Sequence, residues 1–581
     1  MTELRVDNPF ELTMAHRPLV AMVERFLGLT RLADCYRQRP LRLDPQEFLQ
    51  YTLDKLCSQV TIGGKGQHDG IPSSGPLLIF ANHPLGGLEG VAIARMLLSV
   101  RSDVKVITNQ LLCRIPELRD VFIGVDILSE HTERSNVKAL LQAGRHLKTG
   151  GALLIFPAGV VAAISPTRWC IQEQPWHRLL GRFALKYRAN CLPVYVEGRN
   201  SKFFYLLGLI HPRLRTLWLA RELANKQGKV LRLTVGEIIT PDDFMGVGDD
   251  ESVTSYLRMN TEILAVANEP VTDKQSVPPK MPILPCEEVV AAINNLEDCR
   301  LLTKGDFSVF CAPFARMSVL MKYLGAVREL TFRAAGEGTG NDEDIDRFDP
   351  HYLHLFIWDQ VRHTVVGGYR IGKTDEIVAR YGIDGLYSRS LYAFDQKFIQ
   401  DLGPALEMGR SFIQPDYQRC PEVLDLLWRG IGAYVARDLN YCILFGAVSI
   451  SRNYSTLARQ LISECMLKNF CAEQKHLQKV SPLKPIKTSE RIWSAEAWAM
   501  LSNIKVLNKL VGRCDPGKTI PILLRHYLSL NGRFVCFSLN TGFHDSLDGL
   551  MMVDLRKTPK KYLSRYLGKA AAECFLHKWG C

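Results

Sequence analysis

At 581 residues the chain is longer than one hydrophobic core serves, so two or three domains are expected. A content of 47% hydrophobic and 23% charged residues excludes a disordered chain. The 16 cysteines are scattered without Cys-x-x-Cys or zinc-ligand spacing, which argues against a disulfide scaffold or a metal site. The net charge of +12 accompanies no recognition motif or basic-aromatic repeat, so no nucleic acid is expected as a partner.

In chain order, the residues from Met1 to Leu12 carry three acids and one arginine, and no secretory signal is predicted. Pro18 to Leu32 places Leu19, Val20, Met22, Val23, Phe26 and Leu27 at helical spacing, which predicts a helix that covers a core or docks on lipid. Pro76-Leu-Leu-Ile-Phe80 predicts a buried strand, and Val91 to Leu98 a helix. Between them the turn Asn82-His-Pro-Leu-Gly-Gly-Leu-Glu-Gly90 sets His83 and Glu89 six residues apart around Gly86 and Gly87. A neutral imidazole is a suitable base for an alcohol near neutral pH, and a carboxylate on its second nitrogen would fix the tautomer.

Downstream, strands are predicted at Val104 to Thr108, Ala152 to Phe156, Cys191 to Val196 and Val230 to Val235. Helices are predicted at Asn136 to Lys148 and His177 to Arg188, so this half reads as an α/β layer fold. Between Val161 and Val235 there are 13 Lys and Arg against 3 Asp and Glu, a face suited to an anionic membrane or an acidic protein. The longest apolar run, Gly151 to Ile164, is shorter than the roughly 20 residues that span a bilayer. A cytoplasmic protein, peripheral on the inner face of the membrane, is expected.

The turn around His83 resembles the first motif of the lysophospholipid acyltransferase family, with glutamate where aspartate is usual. Asn82, Gly86 and Gly87 belong to that motif. Phe156-Pro157-Ala158-Gly159 resembles the third block, with alanine in place of the usual glutamate, and Leu192-Pro193-Val194 resembles the fourth. Arg134 is the candidate for the arginine of the second block. The resemblance implies that His83, with Glu89, deprotonates a lipid hydroxyl as it attacks an acyl thioester. It places Asn82, Gly86, Gly87, Arg134, Phe156, Pro157, Gly159 and Pro193 around the substrates.

From Pro241 the chain turns acidic, and Ser276 to Pro285 holds four prolines in ten residues. Residues 1–240 are therefore expected as one domain, 241–285 as a linker and 286–581 as a second domain. In the second half, Arg328 and Phe332 stand at helical i, i+4 spacing before an acid-rich loop with Asp346 and Asp349. Strands follow at Leu353 to Trp358 and Val365 to Ile371, then Leu406 to Ile413, a helix at Pro421 to Leu439 and a strand at Tyr441 to Gly446. The residues from Arg556 to Cys581 carry seven Lys and Arg against one Glu, with Tyr562, Tyr566, Leu567 and Phe575 interleaved. That reads as a solvated helix or as a dock for anionic lipid or an acidic carrier.

This half resembles the GNAT-fold N-acyltransferases that acylate an amino acid from an acyl carrier protein. The pattern is Arg328 with Phe332, Asp346 with Asp349, Arg370 after Gly-Gly-Tyr, and Glu407 with Arg410. The resemblance implies that Glu407 takes the proton of the attacking amine. Asp346 and Asp349 would hold a cationic side chain, and Arg370 and Arg410 the substrate carboxylate. A structural ion-pair network accounts for the same charges.

Together the two halves resemble the fused ornithine lipid synthases of bacteria. The expectation is an α/β chain of two acyltransferase domains that acylates ornithine on nitrogen from 3-hydroxyacyl-acyl carrier protein. The 3-hydroxyl of the lyso-aminolipid is then acylated, and no cofactor is involved. The alternatives are a single-activity lysophospholipid acyltransferase with an accessory domain and a haemolysin-like membrane-binding protein.

Overall fold

A computed structural model describes residues 9, 17–56, 59–66, 70–126, 136–165, 169–265, 287–486, 493 and 495–580. The chain divides into two compact units, Met1–Glu269 with Trp493–Met500, and Pro270–Ile492 with Leu501–Cys581.

The first unit is built on a seven-stranded sheet of β1 (Gln59–Gly63), β2 (Leu77–Ala81), β3 (Val104–Asn109), β4 (Phe122–Val125), β5 (Ala152–Ile155), β8 (Asn190–Glu197) and β9 (Val230–Val235). The order is β1-β9-β8-β2-β5-β3-β4, parallel except where β8 meets β9. β2 lies between β5 and β8, and all five of its side chains are buried. That is why its sequence runs Leu-Leu-Ile-Phe-Ala without alternation. The helix Leu88–Leu98 packs its apolar face into the same core as β2. A small hairpin of β6 (Ala163–Ile164) and β7 (Ile171–Gln172) follows β5.

The expected linker is folded for its first part. Pro241–Phe244 and Asp250–Ile263 are helices of this unit, and the second buries Val253, Tyr256 and Leu257. Pro241 reads as a breaker in sequence, yet it occupies the first helical turn behind a Thr240/Asp243 capping box, where a proline costs no hydrogen bond. The proline-rich stretch 276–285 lies outside the described residues. Trp493–Met500 belongs to this unit too, with the indole N–H of Trp493 donating to Glu262.

The second unit holds an eight-stranded sheet of β10 (Arg300–Lys304), β11 (Phe307–Pro313), β12 (Leu353–Asp359), β13 (Thr364–Lys373), β15 (Ala405–Ile413), β16 (Ile443–Ile450), β18 (Arg533–Asn540) and β19 (Ser546–Asp554). Its order is β10-β11-β12-β13-β15-β16-β19-β18. Two-residue strands β14 (Tyr392–Ala393) and β17 (Ser481–Pro482) pair separately. The sheet is antiparallel except for β15 and β16, whose parallel ladder covers only Ala405–Glu407 and Ile443–Phe445. Next to it a cleft is lined by Tyr369, Met408, Gly446, Ala447 and Tyr527. Gly446 permits the strands to meet before they part, since a Cβ there would lie 2.0 Å from the Met408 carbonyl oxygen. In the basic C-terminal segment Tyr566, Leu567 and Phe575 are buried, so its apolar members serve the core.

Candidate active sites

The turn after β2 is organised by one buried carboxylate. Glu89 is fully buried in the first turn of the helix Leu88–Leu98. Its Oε1 accepts from the backbone N–H groups of Leu85 (2.9 Å) and Gly86 (2.8 Å), and its Oε2 from Gly87 (3.1 Å). The helix has no other side-chain cap, so Glu89 satisfies donors that a helix start leaves open. The same Oε1 stands 3.0 Å from Nδ1 of His83, at ion-pair distance although off the axis of a well-formed hydrogen bond. Burial opposes the charge on Glu89, but His83 and the Gly86 N–H outweigh it and hold the carboxyl at about 2. Glutamate thus reaches both the turn and the ring. Gly86 adopts φ +96°, and a Cβ there would lie 2.5 Å from Leu219 and 2.9 Å from Val161.

The other motif residues hold this turn in place. Asn82 Nδ2 donates to the Val196 carbonyl (2.9 Å) and its Oδ1 accepts from the Val196 N–H (2.7 Å), which ties the start of the turn to β8. Phe156 sets its ring 4.6 Å from the His83 ring. Pro157 accepts from the His177 N–H, and Gly159 closes a turn onto the Phe156 carbonyl with φ +67°. Pro193 sits on β8 opposite Phe80 of β2. Arg134 lies outside the described residues.

One residue of this site has no place in the sequence motifs. Glu173, beyond β7, accepts the His83 backbone N–H through Oε1 (2.6 Å) and the Trp176 indole N–H through Oε2 (2.9 Å). The His83 carbonyl in turn accepts from Ala162 N (3.1 Å). Both peptide groups of His83 are therefore held, by Glu173 and by Ala162. Burial pushes the Glu173 carboxyl up, against the Trp176 and His83 N–H groups that favour its charge. Glu173 lies 90 residues from His83 in the chain, and no local spacing announces the contact.

In the second unit, five of the predicted charges meet a sixth. Arg328 donates to Asp344 (2.9 Å) and Asp349 (3.0 Å). Arg370 donates to Asp346 (2.7 Å) and Asp349 (3.3 Å). Arg410 donates to Asp346 (2.8 Å), and its Nε lies 2.9 Å from Asp344. Three arginines thus match three aspartates, and Asp344 is the member that sequence reasoning missed. Asp349 is held well below the usual carboxylate range: burial opposes this, and Arg328 and Arg370 overcome it. Asp346 keeps 23% of its side chain exposed, so the cluster touches solvent there. Phe332 packs edge-on against Phe412 (6.4 Å) and Phe543 (5.8 Å), and Arg410 lies 4.5 Å over the Phe543 ring.

Glu407 is placed beside this cluster and not in it. Its carboxylate accepts from the Tyr352 hydroxyl and from the backbone N–H groups of Tyr387 (3.2 Å) and Ser388 (2.6 Å). The rings of Tyr352 and Tyr387 face Arg370 at 4.8 and 5.0 Å. A buried carboxylate with three donors is spoken for, which fits an anchor of the 387–390 turn better than the proton acceptor expected from sequence. A second unforeseen carboxyl is Glu337, partly buried, whose backbone N–H donates to the Phe332 carbonyl (2.7 Å). Burial and then the Asp548 carboxylate raise it to about 8. Asp548 accepts from Asn540 Nδ2 (2.7 Å) and Ser546 Oγ (3.0 Å).

Residues 34–269 match a family model described as an acyltransferase, and residues 327–429 match the acetyltransferase (GNAT) domain. A glycine N(alpha)-acyltransferase of Phocaeicola vulgatus is 29% identical over 287 residues, which cover 45% of this chain and 86% of the relative. A lyso-glycine lipid O-acyltransferase of the same organism is 26% identical over 200 residues, covering 33% of this chain and 68% of the relative. A solved 1-acyl-sn-glycerophosphate acyltransferase from Thermotoga maritima aligns with 43% of this chain and 91% of its own at 20% identity and a TM-score of 0.26. The chain is an enzyme of the acyltransferase type, mixed α/β throughout, with an acyltransferase domain followed by a GNAT domain.

Proposed function

We propose that this chain builds an aminolipid by two successive acyl transfers, the GNAT half acting first and the His83 half second. The observation that carries the reading is the pairing in one chain of a His83–Glu89 site with a GNAT domain, matched by relatives named separately for N-acylation and O-acylation. In the first step the amine of an amino acid attacks a 3-hydroxyacyl thioester, the C–N bond forms, and the thiol of an acyl carrier protein leaves. Glu337, whose backbone N–H donates to the Phe332 carbonyl beside the arginine cluster and whose carboxyl is raised by burial and Asp548, is our candidate for the proton acceptor, since three donors already hold Glu407. In the second step His83 takes the proton of the newly supplied 3-hydroxyl as that oxygen attacks another acyl thioester, and returns it to the departing thiol. Glu89 stabilises the imidazolium between these events.

Ornithine is the acceptor we favour. The aspartates first assigned to its side-chain ammonium are matched by arginines, so the support for ornithine is the resemblance of the two halves to the fused ornithine lipid synthases. Glycine is the second reading, favoured by the names of the relatives. Ala158, where a glutamate is usual in the third block, favours either over a glycerol-phosphate acceptor. The enzyme would work at the inner face of the cytoplasmic membrane, although no helix among the described residues is long and apolar enough to cross one. Purified chain incubated with ornithine or glycine and 3-hydroxyacyl-acyl carrier protein should release a lyso-aminolipid, and a second acyl thioester should convert it to the diacyl form. Acylation of lysophosphatidic acid alone would replace this reading with the single-activity one.

A further inference from the structure

In the first unit an apolar surface is left open between two helices, Lys202–Ile210 and Pro212–Ala224, and the helix Arg17–Leu27 beside them. Phe203, Leu206, Ile210, Leu217, Met22 and Phe26 all have half or more of their side chains exposed, Ile210 as much as 74%. The three helices meet at one point of this face, because Phe203 and Phe26 both contact the Trp218 ring, at 4.9 and 5.1 Å. Between Arg199 and Arg221 the sequence has five Lys and Arg and no Asp or Glu. Arg221 lies over both Phe26 and Trp218, so cationic groups border the apolar ones. An apolar face set among cations is complementary to the boundary between acyl chains and anionic headgroups, and a water-exposed function does not explain it.

The surface also adjoins the chemistry. Beneath it Phe204, Tyr205 and Trp218 pack with Val161. Val161 precedes Ala162, which donates to the His83 carbonyl, and Leu219 contacts the Gly86 position of the same turn. The reacting hydroxyl of a lyso-lipid stands at the polar boundary of a bilayer, close to where such a face would seat His83.

We infer that this helical surface docks on an anionic lipid bilayer and presents the His83 turn to an acceptor drawn from it, an inference that rests on the proposed O-acylation. Flotation of the full chain tests it with vesicles of phosphatidylcholine containing phosphatidylglycerol, compared with phosphatidylcholine alone. The chain should float with the anionic vesicles and release at high salt. Leu206→Glu, Ile210→Glu and Leu217→Glu combined should lower the bound fraction about tenfold or more, with an unaltered melting transition because all three sites are exposed. His83→Ala should float as the unmodified chain does while losing the diacyl product. Flotation of the triple variant at the unmodified level overturns the inference. So does a chain that ignores anionic vesicles and forms a dimer which the triple variant dissociates, since the face would then cover a second copy. If His83→Ala keeps the diacyl product while the triple variant loses flotation, docking stands and the assignment of O-acylation to His83 falls.

Discussion

His83 Nδ1 lies 3.0 Å from Glu89 Oε1, and that oxygen also receives the N–H groups of Leu85 and Gly86. One carboxylate therefore folds the turn and charges the site. Replacing His83 with alanine should lower O-acylation by about 10²–10⁴-fold without unfolding the unit. Glu89→Gln should reduce both activity and stability, because the neutral amide serves neither partner fully. Rates on a purified lyso-aminolipid, alongside thermal unfolding, separate the two effects.

The Glu89 carboxyl sits at about 2 in the folded chain, below the 4.5 of an unperturbed glutamate, so its contribution is present above pH 4.5 and is lost as pH falls towards 2. The shift corresponds to roughly 3 kcal/mol. The stability gap between the intact chain and Glu89→Gln should accordingly narrow with acidification through that window, as denaturant titrations at a series of pH values would register. A gap that does not change with pH would mean that the charge of Glu89 contributes nothing.

Glu173 is a positioning residue, acting through the His83 backbone. Glu173→Ala should lower kcat of O-acylation by about 10-fold to 100-fold with little change in KM, since a misplaced base costs rate more than binding. Glu173→Gln, which keeps an acceptor for the His83 N–H, should recover most of the loss. Equal defects in both variants would point to the carboxylate charge instead.

The five inner strands of the sheet around β2 were legible as runs rich in apolar and β-branched residues, whereas the edge strands β1 and β4 were not read from the sequence. The link from Glu89 to His83 and to the Gly86–Gly87 turn was legible because those contacts are local. What sequence hid was long-range: Glu173 reaching His83, Asp344 completing the arginine cluster, and Trp493 joining the first unit. Pro241 misled because proline marks a loop and a helix start equally well. Glu407 is a different case, since a buried carboxylate in a strand looks the same in sequence whether it accepts a substrate proton or fixes a neighbouring turn.

In the arginine cluster, Arg370→Ala would leave Asp346 and Asp349 under-neutralised in a buried site. A loss of about 3–5 kcal/mol is expected, visible as a lower denaturation midpoint. Arg370 and Asp346 removed together should cost less than the sum of the single changes.

Glu337 is raised to about 8, so its basic form grows as pH rises through that value, and N-acylation should climb with it. Stability should move the other way between pH 4.5 and 8, because the folded chain favours the protonated carboxyl. Glu337→Gln should remove this rising limb of the rate profile. Glu407→Gln should keep the limb and mainly lower stability. The reverse pattern would return the proton-acceptor role to Glu407.

The central claim, two linked acyl transfers by one chain, is tested most directly by mass spectrometry of lipids from a bacterial host that makes no aminolipid of its own. Expression of the intact chain should yield a diacyl aminolipid, His83→Ala only the monoacyl amide, and Glu337→Gln a marked loss of both. A diacyl aminolipid from the His83→Ala chain, or no aminolipid from the intact chain supplied with both amino acids, would contradict it.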